Sequence, residues 1–238
     1  MTNTLLIKLK RELRAKATKK RAKALKWFFK TGKGEYGEGD IFIGVTLPEL
    51  RRVTKKYAEK VSLRDIDSLL KDKIHEYRMI ALAILTYKYR KADRKTKEVI
   101  ADFYLKHTKV INNWDLVDCS AGHILGDYLL DKDKSVLYKL AKSKNLWERR
   151  IAIISTSAFI NNNDFEDTLK IAKILIRDDH DLIHKAVGWM LREVGKRSLK
   201  SEELFLKKHY KIMPRTMLRY AIERFPEKRR QEYLKGMI

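Results

Sequence analysis

A short pattern that recurs along the chain restricts the folds open to it. It occurs at Arg78-Met-Ile-Ala81, Arg149-Arg-Ile-Ala152, Lys185-Ala-Val-Gly188 and Leu218-Arg-Tyr-Ala221, mostly with a basic residue first and with a small residue last. The last positions differ by 71, 36 and 33 residues, and 71 is two intervals of about 36, so a further unit is expected near residue 117. A period of this size with two helices per unit indicates an α-solenoid, in which small residues let helices stack closely.

The composition favours the same class. The 238 residues include only three prolines and ten glycines, and the helix formers Lys, Leu, Ala, Glu and Arg dominate. We therefore predict an all-α fold, an α-solenoid of HEAT-like helical repeats with a basic concave face. The second helix of each unit would line this face with Arg78, Trp114, Asp118, Arg149, Arg150, Lys185, Trp189 and Arg219.

Helix signals predict the order of the elements. Thr46 and Ser62 each precede an acidic residue by three positions, as the first residue of a capping box does. Each is therefore expected to begin a helix. Apolar spacing predicts further helices at 4–16, 18–30, 74–91, 94–107, 112–130, 133–143, 145–161, 164–176, 180–195, 201–209 and 214–225.

We predict a single domain over 1–238, with N-terminal helices at 1–30, a glycine-rich loop at 31–44 and helical repeats at 46–235. The loop holds five of the ten glycines, and its Gly32-x-Gly34-x-x-Gly37 matches the dinucleotide-binding fingerprint in pattern. That motif needs a preceding strand and a following helix, and the sequence offers neither. The loop is interpreted instead as a flexible connection near a ligand.

The charge balance points to a class of partner. Lys and Arg total 54 against 31 Asp and Glu, which gives a net charge of +23, and the excess extends through the whole chain. A field of this sign favours a polyanion, of which nucleic acid is the commonest. A merely soluble basic surface and a thermophilic charge bias are the alternatives.

Other features limit the cofactors and the location. Cys119 is the only cysteine, so the chain has neither an intramolecular disulfide nor a thiolate metal cluster. His180 and His184 are four residues apart, but no cysteine or general base flanks them, so we expect neither a metal nor another cofactor. No apolar run approaches the roughly 18 residues that span a membrane, and Met1 to Lys20 reads as a basic amphipathic helix. These features predict a monomeric cytoplasmic protein, associated with the nucleoid when it binds DNA.

One stretch, Asn112 to Asp118, combines an aromatic with a carboxylate. Trp114 and Asp118 are four residues apart and share one helix face, while Leu116 and Val117 can reach the core. An aromatic face beside a carboxylate is suited to a cation or to developing positive charge. The alternative is structural, with the tryptophan in the core and the aspartate as a helix cap.

Three stretches resemble the DNA alkylation repair family, the HEAT-repeat alkylpurine DNA glycosylases often called AlkD-like. They are Trp114-Asp-Leu-Val-Asp118, Leu146-Trp147-Glu-Arg-Arg150-Ile-Ala-Ile and Lys185-Ala-Val-Gly-Trp189-Met-Leu-Arg-Glu193. The resemblance covers nearly the whole chain, and it implies an active site of Trp114, Asp118, Arg150 and Trp189.

The resemblance also implies contacts with DNA, and here the sequence departs from the family pattern. Phe28 replaces the tyrosine that helps to hold the DNA backbone near the lesion, and the glycine-rich insert before Gly44 is longer than in the best-characterised type of member. The phosphate-contact candidates are Arg51, Arg149, Lys185, Arg192 and Arg219.

The implied activity is hydrolysis of the N-glycosidic bond of cationic N3- or N7-alkylpurines in double-stranded DNA, without base flipping. Asp118 would stabilise an oxocarbenium-like sugar and orient water, Trp114 and Trp189 would face the cation, and Arg150 would hold a phosphate. One alternative is a non-catalytic protein that binds bent, branched or damaged DNA. A protein–protein scaffold is the other, and the charge of +23 disfavours it.

Overall fold

The computed structural model describes residues 4–238, and the first three residues of the predicted N-terminal helices lie outside this range. Within residues 4–238 the chain is helical and has no strand, only an isolated parallel bridge between Ile41 and Ile74. The predicted all-α fold class is therefore confirmed. The chain divides into two compact units, one ending at Ser120 and the other covering Ala121–Ile238.

The described part of the first unit holds seven α-helices. They are α1 (Thr4–Ala15), α2 (Lys19–Phe28), α3 (Leu47–Tyr57), α4 (Leu63–Leu70), α5 (His75–Lys91), α6 (Arg94–Lys106) and α7 (Trp114–Asp118). The two capping predictions are confirmed, because the Thr46 hydroxyl accepts the Glu49 N–H at 3.2 Å and Ser62 forms both bonds of a capping box with Asp65.

Helix α5 is the centre of the first unit. It packs against α3, α4, α6 and α7, and residues on all its sides are buried. The polar residues that begin the helix are covered as well, so that His75 is 2% exposed and Glu76 is 4% exposed. Buried polar groups need partners, and these two residues find theirs in the glycine-rich loop and in α7.

The second unit begins with a π-helical turn at Gly122–Gly126 and continues through eight α-helices. They are α8 (Ser135–Ala141), α9 (Leu146–Ser155), α10 (Ser157–Asn161), α11 (Glu166–Ile174), α12 (Asp181–Arg197), α13 (Leu199–His209), α14 (Arg215–Ala221) and α15 (Glu227–Lys235). Helix α12 packs against its neighbours α9, α11, α13 and α14. A methyl group added at Gly188 would collide with the Met217 carbonyl oxygen, so a small residue does permit the close approach of α12 and α14.

Two of the predicted long helices are interrupted. The helix predicted over 112–130 ends at Asp118, where the Ser120 hydroxyl donates to the Leu116 carbonyl at 2.6 Å. The helix predicted over 145–161 breaks at Thr156, whose hydroxyl donates to the Ile153 carbonyl at 2.7 Å. Such back-bonding from Ser and Thr competes with the helical ladder and bends it. Helix α15, which follows Pro226, lies within the helical repeats predicted over 46–235 but outside the individual helices predicted there.

The glycine-rich loop is not a flexible connection at its C-terminal end. The Glu76 carboxylate accepts the N–H groups of Ile43, Gly44 and Val45, at 3.1, 2.7 and 3.3 Å. The bridge at Ile41 adds a bond from the His75 N–H at 2.8 Å. Successive N–H groups form a concavity that binds an anion, and here the anion is a buried side chain. The loop is thereby fixed to the start of α5.

Candidate active site

Helix α7 presents the two residues that the sequence placed on one face. Asn113 caps the helix, with its side-chain oxygen accepting the Trp114 N–H at 2.8 Å. Leu116 and Val117 are fully buried, while Trp114 and Asp118 are partly exposed. The predicted division between core and surface along this stretch is therefore found in the structure.

An aromatic stack supports Trp114. Its ring lies 5.1 Å from that of Phe29 at an interplanar angle of 15°. Phe29 stacks in turn on Phe42 at 4.8 Å, and Phe42 stacks on the His75 ring at 4.5 Å. Phe28 meets Trp114 edge to face at 5.8 Å and is 54% exposed. The structure thus brings Phe28, a predicted DNA contact, to the edge of Trp114.

Below the aromatic stack lies a buried network of charged groups. His75 is placed between two carboxylates, with Nδ1 3.2 Å from Asp40 and Nε2 2.8 Å from Asp115. The guanidinium of Arg78 donates to Asp40 at 2.5 Å and to the side chain of Asn112. The Asn113 amide donates to Asp40 at 3.0 Å. The network joins the glycine-rich loop, α5 and α7.

The network shifts the acidity of its members. Burial alone would lower the pKa of His75, but the charge of Asp115 and the hydrogen bonds to Asp115 and Asp40 outweigh it, and the pKa is raised. Burial would raise the pKa of Asp40, but its bonds to His75 and Asn113 and the charge of Arg78 lower it. Both shifts favour the charged forms, so the network pairs imidazolium and guanidinium with carboxylates.

Two candidate arginines of the second unit hold the chain together around the start of α12. Arg150 is only 5% exposed and donates to the Leu182 carbonyl at 2.5 Å. Arg149 pairs with Asp178 at 2.6 Å and also donates to backbone carbonyls. A phosphate contact by Arg149 would therefore require an exchange of partners, which the sequence pattern did not indicate.

Trp189 lies on α12 and is partly exposed. Its indole N–H donates to the Glu193 carboxylate at 3.1 Å, which fixes one edge of the ring. Glu193 is also held by Lys196 at 2.7 Å. The orientation of Trp189 is therefore set by neighbours on the same helix.

The remaining phosphate-contact candidates fall into two groups. Lys185 pairs with Asp181 at 2.7 Å, and Arg192 pairs with Glu223. Arg51 and Arg219 are exposed, and within residues 4–238 their side chains form no ion pair. Arg51 and Arg219 could therefore contact a phosphate without first breaking a salt bridge.

The comparisons with known proteins identify the family and support the fold. The sequence profile described as "DNA alkylation repair enzyme" matches residues 9–225. The chain belongs to this family. A solved structure described as a predicted DNA alkylation repair enzyme from Enterococcus faecalis is similar, with 16% identity and a TM-score of 0.71. The similarity covers 89% of this chain and 98% of the other, and it supports the fold. A comparison with curated proteins finds no match.

Membership of the DNA alkylation repair family gives the protein a role in DNA repair and agrees with its basic charge. Across the described residues no set of three or more metal-ligating side chains comes together. His180 caps α12 by accepting the Leu182 N–H at 3.1 Å, and His184 bonds to the Asp178 carbonyl. In the same part of the chain no helix is both long and apolar enough to cross a membrane.

Three polar residues of this site were not predicted from the sequence. Asp40, His75 and Asp115 are separated by 35 and 40 residues, and nothing local links them. Only their positions in the sequence could have suggested a role at this site. Asp40 follows Gly39 within the glycine-rich loop, His75 begins a helix whose first residues are polar, and Asp115 adjoins Trp114.

Proposed function

We propose that the protein excises cationic N3- and N7-alkylpurines from double-stranded DNA by hydrolysing the N-glycosidic bond. The observation that carries the proposal is the one-turn helix α7, which presents a stacked Trp114 and a partly exposed Asp118 on the same face. The family resemblance of these residues and of Trp189 supports the same reaction.

The chemistry needs little from the protein beyond electrostatics. An alkylated purine that carries a positive charge is already a good leaving group, so no strong general acid is required. What remains is an oxocarbenium-like sugar to be stabilised and a water molecule to be oriented. An ionised Asp118 suits both tasks, because a fixed carboxylate attracts positive charge as it develops.

The tryptophans suit the cationic base and sugar. A cation over an indole face gains about 0.5–2 kcal/mol. The stack of Phe29 beneath Trp114 and the bond from Trp189 to Glu193 hold the two rings in place before the substrate arrives. A ring that is already oriented loses less entropy when it binds.

Arg150 is proposed as a phosphate contact on the strength of the resemblance. In the structure its guanidinium donates to the Leu182 carbonyl at 2.5 Å. Because the side chain is 5% exposed, the proposed contact would require Arg150 to become more exposed when DNA binds. This function without base flipping would require no base-shaped pocket, so bulky adducts should be accepted.

The test is a duplex with one N7-methylguanine, incubated with the protein and then treated with alkali. We expect strand cleavage at the lesion above the spontaneous rate, no cleavage of the unmodified duplex, and little cleavage by Asp118→Asn. If the wild-type protein releases no base above the spontaneous rate, it is not an alkylpurine glycosylase.

The alternative is a non-catalytic protein that binds bent, branched or damaged DNA, and the net charge of +23 favours DNA binding with or without chemistry. Binding to linear, bent and four-way-branched duplexes of equal length distinguishes the two. A binder prefers a distorted duplex even without an alkylated base and releases no base.

A further inference from the structure

Helix α2 differs from the helices that build the core. Its sequence from Lys19 to Phe28 contains five basic residues and no acidic one, and none of its residues is buried. None of the five basic side chains forms an ion pair with a described residue. A helix without a buried residue gains little from packing, so its charge is available to a partner.

Trp27 is the second unusual feature of this helix. It is 84% exposed, and its ring makes no hydrogen bond, aromatic contact or cation–π contact within the described part of the chain. Its neighbour Phe28 turns instead towards Phe29 and Trp114. The Trp27 ring therefore lies outside the stack that supports Trp114, and the burial of the core does not depend on it.

The ends of α2 are nevertheless fixed. The Thr18 N–H donates to the Gly44 carbonyl at 3.3 Å, and Phe29 is buried between aromatic rings. A methyl group at Gly44 would collide with the Thr18 carbonyl oxygen. The helix is thus held firmly at both ends, and Trp27 is displayed from a rigid element.

We propose that α2 is a docking element for DNA that carries an unstacked base, with Trp27 stacking on that base and the basic residues neutralising the adjacent phosphates. Basic grooves combined with exposed aromatic rings are how proteins hold single-stranded nucleic acid, since every base has a face to stack on. In an intact duplex the bases are already stacked on one another. A single strand and a base beside an abasic site both present the required chemistry.

A membrane surface is the other partner that a basic helix with exposed aromatics can suit. Membrane-bound helices carry a continuous apolar face along their length. In α2 the exposed large apolar side chains are Trp27 and Phe28, both at one end, and the rest of the exposed surface is mainly basic. The distribution therefore favours a nucleic acid.

The test compares the affinities of the full-length protein for three fluorescein-labelled DNAs that contain no alkylated base. They are a single strand, a duplex with a stable abasic-site analogue, and an intact duplex. Trp27→Ala should weaken binding to the first two by about 5- to 100-fold, which is the range for removal of one stacking partner, and binding to the intact duplex by less than about twofold. Trp27→Phe should retain most of the affinity.

Matched variants separate stacking from charge and from folding. Leu204 is 52% exposed on α13, and Leu204→Ala should change no affinity. The double variant Lys19→Gln, Lys23→Gln should make the plot of log K against log salt shallower on single-stranded DNA. The slope should change by about 0.7 for each phosphate that is no longer neutralised. Trp27→Ala should leave the slope unchanged. The melting temperature of Trp27→Ala should equal that of the wild type, because the ring is not packed.

Three results would overturn the proposal. The first is a Trp27→Ala affinity within about twofold of wild type on all three DNAs. The second is an equal decrease on all three, and the third is dependence on Trp27 for binding anionic lipid vesicles but not DNA. Because no alkylated base is present, failure of the glycosylase proposal would leave these measurements unaffected.

Discussion

The Nε2 atom of His75 lies 2.8 Å from a carboxylate oxygen of Asp115, although 40 residues separate the two in the sequence. The other ring nitrogen faces Asp40 at 3.2 Å. A neutral imidazole donates through one nitrogen only, whereas an imidazolium donates through both. The charged ring therefore ties the loop and the helix that begins with Trp114 to the same point of α5.

Replacing His75 with Gln should lower the free energy of unfolding most below about pH 6.5 and less at alkaline pH. Because the pKa of His75 is raised, the ring contributes fully to the free energy of unfolding below pH 6.5, the ordinary pKa of histidine. This contribution is lost as the pH rises through the pKa of the folded state. Burial and the charge of Arg78 would lower the pKa of His75, but the carboxylates of Asp115 and Asp40 outweigh them. Urea unfolding of both proteins at about pH 6 and about pH 9 measures the difference. Parallel pH profiles would exclude a charged ring.

Asp118→Asn separates binding from chemistry. A carboxylate near the DNA backbone opposes binding through like-charge repulsion, so the affinity for unmodified DNA should be equal or slightly higher in the variant. The excision rate should fall by about 100-fold or more, as it does when electrostatic stabilisation of a transition state is removed. Single-turnover cleavage and binding by anisotropy give the two numbers. Unfolding of the variant would identify Asp118 as a structural cap instead.

Arg51→Gln and Arg219→Gln should each make the salt dependence of duplex binding shallower by about 0.9 if the side chain neutralises one phosphate. Both arginines are exposed and form no ion pair with a described residue, so thermal stability should not change. Titrations at several salt concentrations measure the slope. A slope near zero for the wild type would mean that the basic charge is not used on DNA.

Arg150→Ala is the contrasting variant. Because the guanidinium is 5% exposed and bonded to the Leu182 carbonyl, its removal should destabilise the second unit by about 1–3 kcal/mol. Any decrease in DNA affinity must then be measured below the melting temperature of the variant. An Arg150→Ala protein as stable as the wild type would show that the buried bond contributes little.

Glu202→Gln should stabilise the protein at alkaline pH. Glu202 is 2% exposed, and burial, aided by the charge of Glu203, raises its pKa to about 8. Between the ordinary pKa of 4.5 and the folded-state pKa of about 8, Glu202 is protonated in the folded protein and ionised in the unfolded chain. The free energy of unfolding therefore falls as the pH rises through this range. At about pH 9 the variant should be more stable by about 1–3 kcal/mol, and near about pH 4 it should match the wild type.

A matched control is available for Glu202. Glu203 is partly exposed and pairs with Arg229 at 3.0 Å, so Glu203→Gln loses this pair and should stabilise the protein at about pH 9 by less than Glu202→Gln does. Thermal melts of both variants across the pH range make the comparison. If Glu202→Gln and wild-type melts differ by the same amount at every pH, the buried carboxyl does not titrate in this window.

The sequence predicted what depends on neighbours a few residues apart. Thr46 and Ser62 begin helices because each accepts a backbone N–H three residues away. The pairing of Trp114 with Asp118 on one helix face follows from spacing alone. The break after Asp118 was missed because the helical pattern continues past it, and the hydroxyl of Ser120 competes with the backbone there.

Contacts across long separations had no such local signal. Asp40, within the loop, accepts a bond from Asn113 across 73 residues, and a single sequence does not indicate which buried carboxylate meets which donor. Arg149 and Arg150 likewise have partners that are distant in the sequence. Both arginines were expected to face a ligand, and both bond to segments of the chain about 30 residues away.

The bonds of Glu76 to the loop N–H groups also decide where the chain tolerates extra length. They anchor 43–45, and the bridge at Ile41 anchors the preceding turn, whereas Lys33 to Glu35 is an exposed tip on the far side of these anchors. Residues added at such a tip need not move what the anchors hold. A peptide label inserted after Gly34 would report on the loop and leave Trp114 in register.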